Sequence, residues 1–282
     1  MKSLLLSLVI VFTSALYAQT DSTALHPWKH SVVAGLNLTQ VAFTDWAQGG
    51  ENALAWTILL DGNSTKQFDS LLWSNTYKFA FGQTRLGSQG LRKTNDNIDF
   101  ESILTYKLGT FINPYCAVTA KSQFAPGFTY DNAGTETQVS AFFDPGYLTQ
   151  SLGAGYQPMN EIKTRFGLAL REIITSKYTQ YSNDIATPPN EIKKIRLEGG
   201  LELVTDVSWQ LQDNLLFTSK IELFSPLSKF DETVFRSDNT FTAKISKYIT
   251  TTLNVQLLND KKVNPYTQVK ETIAIGLSYA IF

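Results

Sequence analysis

The stretch Ile195-Arg196-Leu197-Glu198-Gly199-Gly200-Leu201-Glu202-Leu203 decides the fold. Ile195, Leu197, Leu201 and Leu203 fall on one side of an extended chain, and Arg196, Glu198, Gly200 and Glu202 fall on the other. Successive side chains of a strand point to opposite faces, so this segment has one apolar and one charged surface. Helical spacing would mix the two sets.

The same period runs outward in both directions. Phe166, Leu168 and Leu170 oppose Lys163, Arg165 and Arg171, and Leu215, Phe217, Ile221 and Leu223 oppose Lys220 and Glu222. Trp73, Tyr77, Phe79 and Phe81 stand opposite Lys78, while Ile98, Phe100 and Leu104 stand opposite Asp99 and Glu101. Ile273, Ile275, Leu277, Tyr279 and Ile281 form the last apolar row. About twelve such segments follow one another, each near the ~10 residues that a tilted strand needs to cross a membrane. A soluble β-sandwich alternates in the same way, so the period alone leaves the solvent open.

The connections decide more. From the third onward, long and short stretches alternate, for example 126–146, then Gln157-Pro158-Met159-Asn160, then 176–192. Antiparallel strands crossing a membrane give this asymmetry, with short turns on one side and longer loops on the other. The stretch 61–70 is long for a turn in that scheme. The charges agree with a barrel. Lys78, Asp99, Glu101, Lys163, Arg165, Arg171, Arg196, Glu198, Glu202, Lys220 and Glu222 all take the polar phase. A lipid-facing Arg near mid-membrane costs ~2–4 kcal/mol, so these residues are expected in the lumen. Trp28, Trp56, Trp73, Tyr77, Tyr106, Tyr115, Trp209 and Tyr248 are expected near strand ends, as interfacial girdles.

The first residues suit export. Lys2 precedes the apolar run from Leu4 to Phe12, and Ala18 is a small residue before Gln19. This is the layout of a cleaved signal peptide over 1–18, leaving a periplasmic leader over 19–27 and one barrel domain over 28–282. No later stretch reaches the roughly 20 apolar residues of a membrane helix. Cys116 is the only cysteine, so no intramolecular disulfide can form. With 24 basic and 25 acidic residues the chain has no general attraction for nucleic acid. The expectation is an all-β, antiparallel transmembrane barrel of about twelve strands with both termini periplasmic, lying in outer-membrane lipid.

Thr44-Asp45-Trp46-Ala47-Gln48-Gly49-Gly50-Glu51-Asn52 resembles the hallmark of an uncharacterised Bacteroidota barrel family, known as a domain of unknown function and regarded as outer-membrane. Arg92-Lys93-Thr94-Asn95-Asp96, Asn259-Asp260-Lys261 and Gln268-Val269-Lys270-Glu271 fit it in order along nearly the whole chain. The resemblance implies location and fold, and brings no activity or binding residues with it. Trp46, Gln48, Gly49, Gly50, Glu51 and Asn52 form the outer loop most suited to contacting an envelope partner; the alternative is a tight loop folding Trp46 onto the rim. The terminal Phe282 suits recognition by the barrel-assembly machinery, although it falls out of phase with Ile281, Tyr279 and Leu277.

Catalytic and cofactor signals are weak. His26 and His30 are the only histidines, and with Pro27 between them they read as a leader before the first strand. No His exists mid-chain to serve a nucleophilic Ser, as a membrane phospholipase would need. Glu198, Glu202 and Glu222 are expected to pair with Arg165, Arg171, Arg196 and Lys220 on neighbouring strands rather than to act as acids or bases. Gly87 and Gly90 with Arg85, Arg92 and Lys93 form a basic loop that faces solvent or anionic lipopolysaccharide. There is no phosphate loop, dinucleotide fingerprint or zinc motif, so no cofactor is expected. Four functions remain: a narrow channel for small polar solutes, an accessory barrel of a larger envelope complex, a lipid-modifying enzyme, and a soluble periplasmic sandwich. A non-catalytic barrel is the expectation.

Overall fold

The computed structural model describes residues 27–43, 50–131, 134–183 and 192–281. The expected signal peptide, most of the expected leader, Trp46, Gln48, Gly49 and Phe282 lie outside the described residues.

Fourteen strands are present: β1 (Lys29–Val41), β2 (Ala53–Phe68), β3 (Leu71–Leu86), β4 (Arg92–Tyr106), β5 (Ile112–Ser122), β6 (Gly127–Tyr130), β7 (Glu136–Ser140), β8 (Gly146–Met159), β9 (Ile162–Ile174), β10 (Ile195–Gln212), β11 (Leu215–Pro226), β12 (Val234–Lys244), β13 (Ile249–Asn259) and β14 (Gln268–Ala280). Twelve of them close into one antiparallel barrel, with β14 returning to β1, and β6 and β7 form a separate hairpin. The hairpin occupies the stretch that the sequence presented as one long loop.

The barrel is inverted with respect to a soluble core. Among the described residues only eight apolar side chains, prolines aside, are buried. Leu152, Phe166, Leu197 and Ile273 are 53–71% exposed, and in the paired registers they share the outer wall. Arg165, Arg171, Arg196, Glu101 and Glu202 are buried inside it. The strand alternation therefore places apolar rows outward and charged rows inward, as the phase of the sequence dictates.

All the tight connections lie at one end: 69–70, 107–111, 160–161, 213–214 and 245–248. Both ends of the described chain lie there too. Apart from the five-residue 87–91, the connections at the other end are longer. The stretch 61–70 is corrected: Asp61 to Phe68 continue β2, and only 69–70 turn. Its outward positions Gly62, Ser64 and Lys66 are not apolar, which disguised it as a loop. Tyr77 supplies the missing surface by laying its ring over Gly62, where a Cβ would meet the ring at 1.8 Å. Lys66 lays its ammonium 5.8 Å from the Trp28 ring centre and 4.7 Å from that of Phe68. Its charge thus sits at the tight-turn rim.

Two aromatic belts flank the apolar rows. Trp28 packs against Trp73, and Tyr248 stacks near Tyr279, at the tight-turn end. Trp56 meets Phe81, and Phe124 meets Phe81 and Phe142, at the other. Tyr115 is a correction: it is 6% exposed and points into the lumen, because Cys116 and Val118 take the outer phase. His30 is another, since it belongs to β1 and bonds Ser64 through Nδ1 at 2.8 Å.

The closure is uneven. β1 pairs with β2 along its whole length, from Lys29 to Val41. It pairs with β14 only from Val33 to Asn37, opposite Ala280 to Gly276. The seam is thus hydrogen-bonded in its tight-turn half alone. Beyond it, Leu38 to Val41 and Thr272 to Ile275 face each other without ladder bonds.

Candidate functional site

The candidate site is the lumen, and ion pairs divide it. Glu101 on β4 receives the guanidinium of Arg165 from β9 and, at 2.9 Å, the ammonium of Lys220 from β11. Lys121 on β5 bonds Glu222 on β11 at 2.5 Å and approaches Asp99 on β4 at 3.6 Å. Asp206 adds weaker contacts, 3.8 Å from Arg165 and 4.0 Å from Lys220. These bonds run from β4 and β5 straight across to β11, as a chord through the barrel.

On one side of the chord, under β5, β8, β9 and β10, the interior is filled. Ala117, Thr119, Ser151, Ala169 and Val204 are all buried there. Tight approach is possible because Gly153 and Gly167 face each other; a Cβ on either would lie 2.1 Å from the opposite backbone. On the other side, under β12–β14 and β1–β3, inward residues stay accessible. Thr240, Thr242, Thr252 and Asn254 are half-buried, and Asp61 and Thr272 are exposed although they point inward. The lumen is therefore a packed crescent and an open crescent, separated by charge.

All eleven charged residues expected in the lumen take the inward register, Lys78 and Lys163 included. Their pairing differs from expectation. Glu198 does meet its cross-strand neighbour Arg171, at 2.6 Å. Glu222 instead pairs across the lumen, and Glu202 comes no nearer than 4.0 Å to Arg165. Neighbouring strands fix which residues share a face; closure of the barrel decides which of them meet. Asp61, Lys121, Asp206, Arg236, Asp238 and Lys270 also face inward, and their phase in the sequence was the signal that could have found them. Three acids take the outer phase: Asp96, opposite Phe81 and bonded to Lys93 and the backbone of Phe124 and Ala125, and two more along the wall. Glu271 flanks Val269 and Ile273, and Glu172, held by Gln150 at 3.0 Å, flanks Leu170.

A second cluster closes the rim. Glu198 receives Arg171, Arg196 and, at 2.5 Å, Lys262, which also bonds Glu232 at 2.6 Å. Partial burial raises the Glu232 carboxyl pKa, but bonds from Lys262 and Lys229 outweigh it and hold the group below its ordinary value. The loop connecting β11 to β12 is thus tied to the one connecting β13 to β14.

The described part of the Gly-Glu-Asn segment has a structural role. Asn52 accepts the backbone N–H of Phe43 through Oδ1 at 2.7 Å, and its carbonyl accepts that of Gly87 at 2.7 Å. Gly50, at φ 134°, lies against the Phe43 ring. These bonds close the loop base. The expected basic loop shrinks to 87–91, because Arg85 and the Arg92-Lys93 pair belong to strands. Lys93 is engaged by Asp96 at 2.8 Å, and Arg92 lies 4.0 Å over Tyr130.

The family described as "Protein of unknown function, DUF481" matches residues 127–281, more than half of the chain, and the chain belongs to that family. Residues 38–128 match the "Protein of unknown function (DUF3078)" family. No curated protein matches. Among solved structures, the chain is similar to the translocator domain of autotransporter NalP from Neisseria meningitidis, with 11% identity, 97% of this chain and 94% of that one covered, and a TM-score of 0.37. It is also similar to the COG4313 outer membrane channel from Pseudomonas putida F1, with 11% identity, 93% and 99% coverage and a TM-score of 0.40. The corresponding values for the NanC porin are 10%, 88% and 98%, and 0.39.

Proposed function

We propose that the protein is an outer-membrane barrel, with its tight turns in the periplasm, that conducts small polar solutes through the open crescent of its lumen without a catalytic step. The observation that carries this reading is the accessibility of inward-facing Asp61 and Thr272 beside a filled half-lumen. Inward side chains of one wall are accessible, and those of the other are mostly buried.

The membrane setting rests on the inverted burial. An outer wall of exposed leucine, isoleucine and phenylalanine is stable in hydrocarbon and a liability in water. The charges that bound it fit a bilayer. From Glu271 to Tyr279, at ~3.3 Å per residue and a tilt of about 40°, the apolar band is on the order of 20 Å high. Outer-membrane bands are ~25 Å tall, so Glu271 falls at the interface, where a carboxylate costs little.

Planar-bilayer recording of the purified, folded protein tests the reading. Discrete conductance steps are expected, smaller than those of an open porin because the chord of ion pairs occupies part of the section. Folded, inserted barrels that stay electrically silent would refute conduction and favour the accessory role.

A further inference from the structure

We propose that the outer half of the lumen is a binding site for a small hydroxylated carboxylate, a monoanion of about monosaccharide size. The inference deepens the channel reading by naming the class of solute, and it rests on that reading only for the route of entry.

Above the Lys121–Glu222 bridge lies a cavity of about 390 Å³, within the ~300–1,000 Å³ range of small-molecule sites. Five cations line it: Lys78, Lys121, Lys220, Arg236 and Lys270. Their commitments differ. Lys121 and Lys220 are bound to Glu222 and Glu101. Lys270 donates to a neutral amide, Asn95, at 2.8 Å. Among the described residues, Lys78 and Arg236 make neither a hydrogen bond nor an ion pair through their side chains. The carboxylates of the lining are mostly satisfied. Asp96 takes Lys93 and the backbone N–H groups of Phe124 and Ala125, while Asp99 and Glu222 share Lys121. Asp238 accepts the Asn254 amide at 2.6 Å and has no ion pair. Asp61, opposite Lys78 in the register, has none either.

The lining itself carries five cations against four carboxylates, Asp96, Asp99, Glu222 and Asp238, a surplus of one positive charge, and Lys78, Arg236 and Lys270 are its cations without an ion pair. That surplus suits a monoanion and does not suit a phosphate or a polycarboxylate. Arg236 sits near the outer end of β12, at the entrance, with a planar guanidinium that matches a carboxylate in two parallel bonds. Around it, Asn97, Gln256, Tyr147 and Tyr181 offer neutral donors and acceptors to hydroxyl groups.

Isothermal titration of the full, folded chain in nanodiscs with glucuronate, glucose, glucosamine and inorganic phosphate tests the proposal. Glucuronate is expected to bind saturably and at least ten-fold more tightly than the other three. Arg236→Gln and, separately, Lys270→Gln should each weaken it ten-fold or more, in barrels that keep their heat-modifiable gel mobility. Failure of glucuronate to bind, equal binding of glucose or phosphate, or indifference to both substitutions in folded protein would overturn the site. The two readings fail separately. A conducting barrel that ignores glucuronate refutes this inference alone, whereas a silent barrel that binds it refutes the channel alone.

Discussion

Glu101 is the side chain on which the interior turns, because one carboxylate joins cations from β9 and β11 to β4. Removing one partner of a buried ionic group leaves the others uncompensated and costs ~3–5 kcal/mol. Glu101→Gln is expected to lower stability by that order in urea titrations of vesicle-folded protein; a change within experimental error would mean that water already compensates the cluster. Phase told that Glu101, Arg165 and Lys220 lie inside. It could not tell that they meet, since Lys220 is 119 residues from Glu101 and only ring closure sets the distance. Tyr115 escaped for a different reason: near a strand end an aromatic side chain resembles a girdle residue, and only the phase of Cys116 and Val118 assigns it to the lumen.

At the scale of the strands, alternation located every wall segment, and errors fell where alternation is interrupted. β2 looked too short because Gly62, Ser64 and Lys66 carry no apolar surface of their own; Tyr77 and the rim aromatics provide it from neighbouring strands. β6 and β7 were missed because four and five residues are too few to display a period. The seam was not legible at all, since pairing between the first and last strands leaves no local trace. Its outer half lacks ladder bonds, and unpaired backbone at membrane depth is tolerated only where protein buries it or water reaches it. Thr272 and Thr39, exposed and inward-facing at this point, border the open crescent. In hydrogen-exchange measurements on folded protein, the seam-facing amides between residues 268 and 275 should therefore exchange well before those of β13. Uniform protection along β14 would show that the seam is sealed.

For the whole molecule, closure converts an alternating sequence into a two-sided lumen. The glycines of β8 and β9 let that wall collapse inward, the chord of charges braces it, and the small hydroxyl residues of β12–β14 leave the opposite wall accessible. The most direct test is thiol block of single-channel current. In a Cys116→Ser background, Asp61→Cys and Ala117→Cys place one thiol in the open crescent and one in the packed crescent. A membrane-impermeant cationic thiol reagent should reduce the Asp61→Cys current irreversibly and leave the Ala117→Cys current unchanged. Equal block at both positions, or block at Ala117→Cys alone, would contradict the divided lumen.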